Sequence, residues 1–99
     1  MNDRTLLELA ARAAGIDPVL AEPINFSTGV EYYWNPLTDD GDALRLAVDA
    51  GILDGNAFSV WLNYRNGAMA LEGLGAREAT RLAFVRVAAE IGKYMGGGE

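Results

Sequence analysis

The chain has 99 residues, enough for one domain at the usual allowance of roughly 100–200 residues each. Hydrophobic residues are 51% and charged residues 22%, which excludes a wholly disordered chain, and the absence of Cys and His removes disulfides, thiol nucleophiles, zinc fingers, imidazole bases and haem ligation. Fourteen acidic residues against eight basic ones give a net charge of −6 and a pI near 4.5, the opposite of the basic face that nucleic-acid readers use to displace counterions.

Asn2 or Asp3 can cap a first helix over about 3–14. Leu6, Leu9, Ala10 and Ala13 share one helical face, Gly15 supplies the stop, and Pro18 follows. Residues 15–29 hold Pro18, Pro23 and Ser27-Thr28-Gly29 and read as a loop. Val30-Glu31-Tyr32-Tyr33-Trp34 is a dense run of β-formers and reads as a first strand ended by Asn35-Pro36.

Thr38 then caps a second helix over about 39–50, with Asp39, Asp40 and Asp42 complementing its positive end. Leu44, Ala47 and Val48 form its core stripe, widened by Leu46 and Ala50, and Gly51 closes it. After the turn at Asp54-Gly55-Asn56, residues 57–64 alternate, with Phe58, Val60, Leu62 and Tyr64 on one face. Asn66-Gly67 is the preferred pair for a two-residue hairpin turn. In that register Leu62 opposes Leu71, and Trp61 opposes Glu72 on the other face beside Asn63. Gly73 and Gly75 break the second hairpin strand, and a last helix runs from about Ala76 to Tyr94. Its core stripe is Phe84, Val87, Ala88, Ile91 and Met95, with a second apolar strip of Leu82, Val85 and Ala89 further round. The expected fold is therefore α+β: an αβαββα layered sandwich with a three-stranded mixed sheet, over a single domain 1–99 with a tail at 95–99.

The run Trp34-Asn35-Pro36-Leu37-Thr38-Asp39-Asp40, followed by Ala43-Leu44-Arg45-Leu46-Ala47-Val48, resembles a segment of small bacteriophage proteins, as does Glu78-Ala79-Thr80-Arg81 with Ala88-Ala89-Glu90-Ile91-Gly92. The family it looks most like is the phage ABA-sandwich domain, to which NinX-like proteins are similar. The resemblance covers about residues 30–94. It implies an α/β sandwich of phage or prophage origin and brings no catalytic residues.

No motif for catalysis emerges from the residues. The Asp39-Asp40-Gly41-Asp42 cluster lacks the alternate ligands and distal Glu of a calcium loop and reads as first-turn carboxylates on a helix. Gly73-Leu74-Gly75 lacks the remaining residues of either phosphate-loop pattern, and Ser27 and Ser59 have no His partner. Arg81 and Arg86 have carboxylates within helical reach at Glu78 and Glu90, so solvated ion pairs account for them. The opening Met1-Asn2-Asp3-Arg4 does not read as a positively charged n-region leading into an apolar h-region, and no apolar run reaches the ~18 residues of a membrane span. The expectation is a cytoplasmic protein of a bacterial host cell, with no enzymatic activity, cofactor, metal, membrane partner or direct nucleic-acid partner.

With helices on one sheet face only, Trp61 stands exposed, and Trp61, Asn63, Arg65 and Glu72 become candidates for binding a partner. The resemblance implies host takeover or counter-defence, by binding and blocking a host protein through that surface and its carboxylates. Two alternatives stand beside it. One is an oligomeric sponge for a small nucleotide signal, assembled through Leu82, Val85, Ala89 and Arg86 on the last helix; the other is a structural or regulatory subunit.

Overall fold

The structure is a computed structural model and describes residues 3–15 and 35–95. Within them it is all-helical: α1 (Asp3–Ala14), α2 (Asp40–Asp49), α3 (Gly55–Leu71) and α4 (Ala76–Met95). Apart from Gly15, the expected loop 15–29 lies outside the described residues, as does the expected first strand 30–34. The expected α+β sandwich is overturned where it can be tested. The two strands of the hairpin are one continuous helix, α3, and no strand occurs among the described residues. The sandwich that the phage resemblance implies falls with it.

Local chemistry explains the change. Asn66 and Gly67 do not take the positive φ that the hairpin turn requires, so the chain continues helically through them. Ala57, Trp61, Ala68 and Glu72 recur at helical spacing, and Ala68, Met69, Ala70 and Leu71 are strong helix formers. Apolar side chains cover so much of the helix circumference that the alternation of Phe58, Val60, Leu62 and Tyr64 coexists with a helical period. Gly73 ends the element with a φ of +69°, the left-handed stop of a helix rather than a break in a strand.

The ends of α2 are held by hydrogen bonds. Asp39, not Thr38, is the N-cap: its carboxylate accepts from the backbone of Gly41 at 2.8 Å and of Asp42 at 3.4 Å. Asp42 is buried and accepts from the backbone of Asn35 at 3.0 Å and from Arg45 at 2.9 Å. At the other end Gly51, at φ +73°, lets the Ile52 N–H reach the Ala47 carbonyl at 2.8 Å, and the Ile52 side chain is fully buried.

Helix α4 is the hub. It packs against α1, α2 and α3; α1 also touches α2, whereas α3 packs on α4 alone among the described helices. The core joins Leu7, Ala10 and Ala11 of α1, Ala43, Leu46 and Ala47 of α2, Ile52, and Phe84, Val85, Val87 and Ala88 of α4. Many of these are alanines, so the helices approach closely. At Gly92 an added Cβ would collide with the Leu9 carbonyl of α1. Hence both apolar strips of α4 are used inside the chain: Phe84 faces α3, and the strip of Val85 and Ala89 lies on the side that carries Gly92 and α1. No helix of the described residues is long and apolar enough to cross a membrane.

Candidate functional site

The helical form of residues 55–71 inverts the expected surface. Trp61 faces inward, half-buried, with its ring stacked on Phe84 at 4.8 Å and 11°. Its indole N–H donates to the Thr80 carbonyl at 3.3 Å, and Phe58 lies against it at 5.3 Å. The indole therefore fastens α3 to α4 and is not a presented docking residue. Arg65 belongs to the same junction, donating to Thr80 Oγ1 at 3.0 Å and to Asn66 Oδ1 at 3.2 Å. The residues assigned to the covered side of the hairpin are the exposed ones: Phe58, Val60, Leu62 and Tyr64 are each about two-fifths exposed.

Asn63 is exposed and shares a groove of about 260 Å³ with Tyr64, Gly67, Leu71, Glu72 and Arg86. Glu72 forms a two-point pair with Arg86, at 2.7 and 3.1 Å. The hydrogen bond from Arg86, reinforced by its charge, holds the Glu72 carboxyl below its usual value, against the opposing effect of desolvation. The same bond raises the Arg86 pKa, so that guanidinium stays charged. The structure thus joins Trp61 with Arg65 around Thr80, and Glu72 with Arg86, but does not gather all four partner candidates into one site.

The oligomer strip is corrected as well. Val85 and Ala89 are 0% and 3% exposed, and Leu82 and Arg86 are half-buried, so the strip is interior to the chain and not a free helix face. The sponge reading loses the interface on which it was built.

An open surface lies instead between α2 and α4. A groove of about 310 Å³ is floored by Phe84 and Thr80 and walled by Ala43, Leu44, Arg77 and Arg81. Arg81 forms one edge, donating to the Leu37 carbonyl at 2.9 Å and to Asp40 at 2.6 Å. Along α2 the residues Asp40, Leu44 and Val48 follow one another at four-residue spacing, and Leu44 and Val48 are 55% and 59% exposed. Both were expected in the core stripe. The buried face is Ala43, Leu46 and Ala47, an equally valid three-and-four spacing that the larger Leu44 and Val48 obscure in the sequence.

Among the described residues no group of acidic side chains is placed to hold a metal ion. The Asp cluster is engaged in structure: Asp39 caps α2, Asp42 holds the Asn35 backbone, and Asp40 pairs with Arg81. Comparison of the chain with protein-family models, with curated proteins and with solved structures finds no match.

Proposed function

We propose that this chain is a non-enzymatic binding protein that acts by covering a surface of another protein. The observation that carries the reading is the open groove between α2 and α4, with Leu44 exposed on its α2 wall beside Asp40 and Val48 exposed one turn further along the helix, beyond the groove. Large apolar side chains on a monomer's surface are the usual mark of an interaction site when they line a concavity. The chain's net charge of −6 favours a basic surface on the partner overall, while Arg77 and Arg81 on the groove wall, the latter already paired with Asp40, suit an apolar projection that carries a carbonyl or carboxylate into the groove. The partner in this proposal is a host protein, bound and blocked by occlusion; the phage resemblance from which that partner comes stands without the sandwich fold it implied.

The test is affinity capture from a bacterial lysate with the wild-type chain and with Leu44→Lys. That substitution puts a cation on the groove wall at an exposed position and leaves the core untouched. A partner held by the wild type, lost by Leu44→Lys and released by raised salt supports the reading. An identical set of proteins on both chains refutes it.

A further inference from the structure

The N-terminal half of α4 borders a second concavity, on the side of the helix turned away from the α2–α4 groove. Glu78 and Leu82 follow one another at four-residue spacing on that side, whereas Arg77, Thr80, Arg81 and Phe84 line the groove. With Asp3 of α1, Leu37 ahead of α2, and Glu72 and Leu74 between α3 and α4, they enclose about 290 Å³.

The floor and the rim of this pocket differ in chemistry. Leu37, Leu74 and Leu82 are half-buried and supply an apolar floor from three separate segments, while Asp3, Glu72 and Glu78 stand exposed around it. No cationic residue lines the pocket. Glu72 is neutralised by its two-point pair with Arg86. Asp3 and Glu78 have no such partner among the described residues, because Arg4 pairs with Glu8 and Arg81 with Asp40. The helix dipole accounts for a carboxylate in the first turn of α1 and of α4 taken singly, but not for the leucine floor that the two share.

Charge decides what fits. The residues outside the described ones contain no lysine or arginine and add four carboxylates, Asp17, Glu22, Glu31 and Glu99, so none of their side chains brings the complementary charge. A second copy, at net −6, approaches this rim against repulsion. A basic protein surface is attracted both by the whole chain and by the rim. Arginine matches both parts of the pocket. Its methylene stem covers apolar surface while the charged head stays at the water boundary. Its planar guanidinium carries donors on two edges, so carboxylates from two helices are served at once.

We infer that this pocket takes an arginine side chain presented by a basic protein partner, with the stem over Leu37, Leu74 and Leu82 and the guanidinium between Asp3 and Glu78. It is a second contact point, distinct from the α2–α4 groove and independent of what that groove binds.

The probe is the amide of N-acetylarginine, titrated into the isotope-labelled full chain and followed by backbone amide chemical shifts. One side chain making two exposed ion pairs binds weakly, with an expected Kd of about 1–10 mM. Saturable shifts centre on Asp3, Leu74, Glu78 and Leu82. The citrulline analogue has nearly the same shape without the charge and binds about tenfold more weakly. Glu78→Gln, at an exposed position that leaves the fold intact by circular dichroism, weakens the arginine probe about threefold, the worth of one exposed ion pair. Free arginine, whose α-carboxylate meets the same acidic rim, binds more weakly than the amide. Leu44→Lys alters only the other groove and leaves the titration unchanged, so the two sites are read apart. The inference is overturned by the absence of saturable shifts up to about 50 mM probe, by equal affinity for the arginine and citrulline probes, or by shifts centred on the α2–α4 groove. Free arginine binding as tightly as the amide overturns the assignment to a protein side chain.

Discussion

Gly92→Ala adds one methyl group where α1 crosses α4. The new Cβ would overlap the Leu9 carbonyl and lie 3.4 Å from the Ala13 nitrogen. Every atom in the collision is main chain or Cβ, so no rotamer change relieves it and the two helices must separate. Relieving the overlap takes a separation of about one ångström or more, and a gap of that size forfeits about half of the dispersion energy across it. It also loosens Leu7, Ala10 and Ala11, all buried against this crossing. Overpacking of this kind costs about 1–3 kcal/mol, here at the upper end, and the better helix propensity of Ala returns about 1 kcal/mol. The net expectation is a loss of about 2 kcal/mol, or roughly 8–16 °C in Tm for a domain of this size. Gly67→Ala is the internal control, since its Cβ enters open space. It should gain about 0.5–1 kcal/mol from propensity alone. Urea and thermal melts followed by far-ultraviolet circular dichroism give both values. If Gly92→Ala melts at or above the wild type, the close α1–α4 crossing does not exist in solution.

Trp61→Ala removes the ring stacked on Phe84 and the donor to Thr80, and should cost about 2–4 kcal/mol in urea unfolding; a loss below 1 kcal/mol would place the indole outside the α3–α4 junction. Asp39→Ala removes the acceptor for two backbone N–H groups and should lower stability by about 1 kcal/mol, whereas Thr38→Ala should be nearly silent in the same melt. The Glu72 carboxyl titrates below its usual value, chiefly through the Arg86 hydrogen bond, so the pair's contribution is complete above about pH 4.3 and is lost as pH falls through the lower folded-state value. Glu72→Gln should therefore lose Tm less steeply than the wild type between about pH 5 and 3, and equal slopes would show that the pair does not persist in solution.

Three helices were legible from their ends. The expected spans 3–14, 39–50 and 76–94 are observed as Asp3–Ala14, Asp40–Asp49 and Ala76–Met95. Acidic caps, and glycine stops at Gly15 and Gly51, act within one turn of chain, so the sequence alone carries them. The candidate site was less legible. Placing Leu44 and Val48 in the core required choosing between two overlapping stripes on α2, and only the direction in which α2 docks on α4 makes that choice.

Residues 55–71 mark the limit most clearly. Their apolar residues satisfy a period of two and a period near 3.6 together, and Asn66-Gly67 adds a genuine turn signal. What decides between them is distant in sequence: Phe84 and Thr80 of α4 offer the indole of Trp61 a ring to stack on and a carbonyl to bond. Composition and local capping determined where helices start and stop, because those interactions close within a few residues. The partner of each apolar face was settled only by tertiary packing, because burial is non-directional and a greasy stripe carries no record of what will cover it.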